Sequence, residues 1–114
     1  MTRLSRIAAV LIAVAIAYLS LEPPSGVDSL LHIDKLKHLV AYGALSGALA
    51  LGWPRLALGW VIAGAATYGL AMEAAQALSG IGRTASALDA LANLAGAWLG
   101  GISARWLRAK KLIP

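Results

Sequence analysis

Residues 73–93 read EAAQALSGIGRTASALDALAN, and the segments on either side decide how they are understood. A strongly apolar chain turns polar here for about 20 residues, the length of one membrane span. Glu73, Gln76, Arg83, Ser86, Asp89 and Asn93 are set around one glycine-containing turn. The flanking segments read as membrane spans, where an ionisable group is costly and marks a candidate functional site.

Composition points the same way. The chain has 114 residues, 60% hydrophobic and 13% charged, with a mean hydropathy of +0.74, against about 25% charged in ordinary soluble domains. A soluble core of this size cannot hide so many Ala, Leu, Ile, Val and Trp side chains, so the excess is expected to face lipid. There is no cysteine, which excludes a disulfide framework and thiolate metal or redox chemistry.

Outward from the central stretch, the apolar runs are punctuated by turn residues. Arg3 and Arg6 precede the apolar run Ile7 to Leu21, which with Leu4 and its neighbours makes a first span over about 4–21, ended by Glu22-Pro23-Pro24-Ser25-Gly26, because proline lacks an amide proton and disfavours helix in the residue before it. A cleaved signal peptide with an A-x-A-like site at Ala15-Ile16-Ala17 is the competing reading of this segment. A polar loop through Asp28, His32 and Asp34 leads to a second span at 36–52. Trp53-Pro54-Arg55 is a connection so short that the next helix must run back antiparallel. The third span covers 56–78 and the fourth 88–106, before a basic tail with Arg108, Lys110 and Lys111. The expected fold class is therefore all-α, a single integral-membrane four-helix bundle over 1–114.

With both termini on one side, that side holds Arg3, Arg6, Arg55, Arg105, Arg108, Lys110 and Lys111, seven of the ten basic residues. All five acidic residues fall on the other side with Lys35, Lys37 and Arg83. The excess of Lys and Arg in short connections marks the cytoplasmic face, so both termini are expected inside, in a bacterial inner membrane. The net charge of +5 is then a topology signal, and no nucleic-acid partner is implied.

This topology gathers residues that are far apart in sequence. The start of the second helix, the end of the third and the start of the fourth all lie at the outer leaflet. Lys35, His38, Glu73, Gln76, Arg83, Asp89 and Asn93 are expected to converge there. Spacings of three and four place Lys35, His38 and Tyr42 on one stripe, Glu73 and Gln76 on a second, and Asp89 and Asn93 on a third. Gly43-x-x-x-Gly47 and Gly96-x-x-x-Gly100 offer surfaces small enough for close helix packing.

Each polar residue has a functional and a structural reading. His38 is a candidate general acid or base, or a hydrogen-bonding partner of Glu73 or Asp89. Glu73 is a proton acceptor, or the counter-ion of Arg83. Arg83 suits bidentate binding of phosphate or carboxylate, beside a helix start that favours anions. Ser86 binds the same anion or caps the fourth helix. Asn93 bonds another helix, and Tyr42 packs at the interface. His38, Glu73 and Asp89 are chemically capable of binding a divalent ion, but Lys35 and Arg83 oppose it, and no metal or other cofactor is expected. Nucleophile-elbow, phosphate-loop and dinucleotide motifs are absent from the sequence.

The ordered pattern K-x-x-H-x-x-x-Y (Lys35, His38, Tyr42), E-x-x-Q (Glu73, Gln76) and R-x-x-S-x-x-D-x-x-x-N-x-x-G (Arg83, Ser86, Asp89, Asn93, Gly96) resembles the VanZ-like family of small membrane proteins linked to teicoplanin resistance. The likeness covers roughly Asp34 to Gly101 and departs at Leu39 and Ala85, where aromatic residues are expected. It implies an envelope location and an outward polar site more than a reaction. The expected function is binding, with or without processing, of the anionic headgroup of a lipid-linked envelope intermediate, with an effect on glycopeptide sensitivity. Lys35, Arg83 and Ser86 hold the headgroup in that reading. His38 and Glu73 handle protons, and Tyr42, Gln76, Asp89 and Asn93 orient them. The alternative is a small accessory subunit packed against a larger membrane complex, with the polar cluster as internal glue.

Overall fold

The computed structural model describes residues 1–22, 33–80 and 87–113, with Ile33 and Asp34 described for backbone only. It is built from four helices: α1 over Thr2–Ser20, α2 over Ile33–Gly52, α3 over Leu58–Leu78 and α4 over Ala87–Ala109. α2 stops one residue before Trp53-Pro54, where the proline ring forbids continuation. α3 ends at Ser79, whose hydroxyl donates to the Gln76 carbonyl at 3.0 Å. Gly80 follows with φ of +71°, the left-handed conformation that commonly closes a helix and that glycine adopts without penalty. α4 runs three residues past the expected end, because its last turn is anchored on the end of α2.

Cross-helix contacts fix the topology. Tyr68 Oη donates to the Ala13 carbonyl and Gln76 Nε2 to the Ser20 carbonyl, so α1 and α3 ascend together. Ser46 pairs with Ala97 and Arg105 with Ala50, so α2 and α4 descend together. Arg6 meets Gly52, so α1 and α2 are antiparallel. The bundle is therefore up-down-up-down, with both termini at the end that carries the Trp53–Ala57 connection. α2 is the hub that touches all three other helices, whereas the described parts of α1 and α4 do not meet.

The parallel neighbours α2 and α4 pack most closely, along the two glycine motifs. A Cβ on Gly96 would collide with the Leu39 carbonyl, and one on Gly100 with the Gly43 carbonyl. Gly43 itself lies against Gly96, and Gly47 against Gly100. Small residues let membrane helices approach to backbone contact, where dispersion and polar contacts replace the absent hydrophobic drive.

The core is built from Ile16, Tyr42, Leu45, Val61, Ile62 and small alanines, with a few polar side chains buried among them and many large apolar ones facing outward. Asn93 is 2% exposed while Leu91 and Leu99 on the same helix are about 60% exposed. Glu73 and Gln76 are buried on α3, while Trp60 and Leu70 face outward. Among the described residues α1 alone is apolar enough along its whole length to cross a membrane on composition, with a mean hydropathy of 1.7. In the other three helices, glycines and residues such as Lys35, Glu73 and Asp89 dilute the apolar content.

Candidate functional site

The start of α2 and the start of α4 meet side by side because the glycine seam holds the two helices in register. Lys35 Nζ lies 2.7 Å from Asp89 Oδ1. One turn further in, His38 Nδ1 lies 2.7 Å from Asn93 Oδ1, and His38 Nε2 faces Asp89 Oδ2 at 3.6 Å. Four side chains from two helices thus form one ladder, Lys35–Asp89–His38–Asn93.

The chemistry of the ladder follows from its donors and acceptors. Asn93 Oδ1 accepts, so His38 Nδ1 carries the proton and Nε2 is the nitrogen left to take or release another. That nitrogen faces the Asp89 carboxylate. At 3.6 Å the contact is too long for a direct hydrogen bond. The Asp89 side chain is 14% exposed and that of Lys35 33%, so the ladder opens from a buried amide to a half-exposed ammonium.

The ring of Tyr42 lies parallel to that of His38, with centroids 6.4 Å apart and planes 5° apart. Tyr68 tilts against the far side of Tyr42, also at 6.4 Å. The third wall is α3. A Cβ on Gly69 would come within 2.7 Å of Asn93 Nδ2 and 3.2 Å of Tyr42 Cε1, so the absence of a side chain there lets the asparagine and the tyrosine lie against α3. Glu73 is four residues on, on the same face and buried.

Gln76 belongs elsewhere. Instead of joining the ladder, it donates at 2.9 Å to the Ser20 carbonyl. The last carbonyls of a helix have no partner within it, and Gln76 supplies one for α1. Gln76 was expected to orient the site, and the contact it makes is with the end of α1. Arg83 and Ser86 lie outside the described residues. Among the described residues no three His, Asp or Glu side chains are grouped as a metal set.

Three arginines read from sequence as topology signals have a structural task. Arg105 donates to the carbonyls of Ala50, Trp53 and Leu56, at 3.1, 3.2 and 2.8 Å. Arg108 donates to that of Leu51, and Arg6 to that of Gly52 at 2.7 Å. Together they satisfy carbonyls of the last turn of α2 and of the connection that follows it. The signal was present in the sequence, since a helix stopped by proline leaves such carbonyls and parallel α4 must end beside it.

Two cavities, of about 250 and 320 Å³, lie away from the ladder. Both are apolar, reach Trp53 at the opposite end of α2, and share Leu49 and Gly64. The described part of the polar end is packed into its own network.

No family model matches the chain, and neither a curated protein nor a solved structure does. The likeness to the VanZ-like family rests on the residue pattern alone.

Proposed function

We propose that the protein is a four-span inner-membrane protein whose outward polar end receives the phosphate or carboxylate headgroup of a lipid-linked envelope intermediate. At about 1.5 Å per residue its helices are about 28–35 Å long, matching a hydrocarbon core of about 30 Å. Their exposed leucines and tryptophans fit lipid outside, and the polar groups buried at one end fit a polar site there. The basic end, which carries both termini, then faces the cytoplasm. α1 meets the apolar requirement on composition; for α2, α3 and α4 the support is their length, their exposed leucines and tryptophans, and the burial of Glu73 and Asn93.

The observation that carries the reading is the Lys35–Asp89–His38–Asn93 ladder at the end of the bundle opposite both termini. Lys35 and Arg83 supply positive charge for an anion. His38, fixed by Asn93 on one side and facing Asp89 on the other, takes or releases a proton at Nε2. Glu73 is the second proton-handling group, and Ser86 adds a hydroxyl at the anion. This assignment agrees with the VanZ-like resemblance and with its link to glycopeptide sensitivity.

A second reading is favoured by the closure of the network on itself. Lys35 is bonded to Asp89, His38 to Asn93, and Gln76 to α1. In an accessory subunit of a larger membrane complex these contacts would serve only as internal glue.

Native mass spectrometry from mild detergent separates the two. A headgroup site predicts bound anionic lipid that is lost on Arg83→Ala or His38→Ala. Protein free of lipid, or one that travels only within a larger complex and keeps its cellular effect in both variants, contradicts the site.

A further inference from the structure

The two apolar cavities share Leu49, Trp53 and Gly64 and so make one groove between α1, α2 and α3. α1 and α3 are tied at Ala13–Tyr68 and Ser20–Gln76, toward the polar end. Toward the other end the groove is open at α3, where a Cβ on Gly59 or Gly64 would meet nothing from the other helices within 4 Å. We propose that this groove holds an acyl chain of an anionic phospholipid, whose phosphate is met by Arg55 and Arg6 at the groove's mouth.

Shape, lining and charge agree on this occupant. The larger cavity is within the usual range of ligand clefts, about 300–1,000 Å³. The walls are hydrocarbon and indole, from Val10, Leu49, Trp53 and Trp60, which suits a chain of methylenes. At the mouth, the Arg6 guanidinium lies 5.2 Å from the centre of the Trp53 ring, with its Nε bonded to the Gly52 carbonyl. Arg55, two residues beyond Trp53, is exposed. A guanidinium held in place beside an apolar slot offers a planar fork to phosphate. A zwitterionic headgroup brings its own ammonium to the same place, so a net negative lipid is preferred.

The inference concerns the end opposite the ladder and shares with the proposed function only the insertion of the bundle in a bilayer. It is tested by tryptophan quenching in the full chain carrying Trp98→Phe and Trp106→Phe, so that emission comes from Trp53 and Trp60. Vesicles contain phosphatidylcholine with a minor fraction of phosphatidylglycerol. Bromine is placed on the acyl chains either of the phosphatidylglycerol or of an equal amount of phosphatidylcholine. The brominated anionic lipid is expected to quench about threefold or more above the brominated zwitterionic lipid, a modest ratio because contacts at exposed arginines are screened. Arg55→Gln and, independently, the groove-filling Gly64→Leu should bring the ratio near one.

Equal quenching in the parent protein overturns the groove site, as does a preference that survives both variants. A dimer in which both tryptophans are shielded from both lipids overturns it in favour of a second copy. Quenching by neither lipid in a monomer overturns it together with membrane insertion.

Discussion

His38 on α2 and Asn93 on α4 are joined through Nδ1 and Oδ1 at 2.7 Å, across helices that run parallel. The bond sits at the inner end of the charged ladder, where the amide is 2% exposed. It ties the orientation of the imidazole to the spacing of the two helices.

Removing the amide should therefore be felt as stability. Asn93→Ala leaves a part-buried imidazole N–H without its acceptor, a loss of about 1 kcal/mol. Gly69→Ala should cost a similar amount, because its Cβ would enter the space of Asn93 Nδ2. The double variant should be less destabilised than the sum of the singles, since each removes the other's clash or contact. Unfolding in detergent, by heat or by graded denaturant, measures all three.

The ion pair between Lys35 and Asp89 should show the asymmetry of a half-buried charge pair. Lys35→Met takes away the ammonium 2.7 Å from the Asp89 carboxylate, whereas Lys35→Met with Asp89→Leu removes both charges. The single variant is predicted to be less stable than the double, with a coupling of about 1 kcal/mol given the exposure of the lysine. Additive losses in a double-mutant cycle would show that the pair contributes nothing.

The glycine seam predicts a difference between glycines. Gly96→Ala and Gly100→Ala push α4 off α2 and should each lose about 1–3 kcal/mol or more, scattering the ladder. Gly59→Ala meets open space and should leave stability unchanged or raise it by about 0.4–1 kcal/mol. The same unfolding titrations decide it, and equal effects at Gly59 and Gly100 would rule out the seam.

Much of this architecture is legible in the chain. Pro23-Pro24 and Trp53-Pro54 punctuate the apolar runs, and short connections make successive helices antiparallel. That alone brings Lys35, His38, Asp89 and Asn93 to one end. Helical spacing then places Gly43 and Gly47 on a face that can meet Gly96 and Gly100. What sequence could not supply was partner choice at equal depth. Gln76 and Glu73 share a stripe, yet Gln76 turns to the open end of α1 because a carbonyl there lacks a partner. Spacing along one helix does not say which neighbour stands opposite. The space at Gly69, against Asn93 and Tyr42, and the apolar groove likewise depend on how the helices are set against one another, which no periodicity encodes.

The arginine cap on α2 predicts a local effect distinct from global unfolding. Arg105→Ala frees the carbonyls of Ala50, Trp53 and Leu56, and backbone amides across the Trp53–Ala57 connection should exchange faster. Arg105→Lys should not restore protection, because one ammonium cannot span three carbonyls as a planar guanidinium does. Hydrogen exchange followed by mass spectrometry reads both.

The central claim is that the ladder end faces outward from a bilayer and the arginine end faces the cytoplasm. The chain has no cysteine, so single replacements report cleanly. Ser79→Cys lies at the ladder end and Lys110→Cys at the other, both exposed. On intact spheroplasts, a membrane-impermeant thiol reagent should label Ser79→Cys and reach Lys110→Cys only after lysis. Labelling of Lys110→Cys on intact cells, or of both positions in a soluble fraction, would contradict the account.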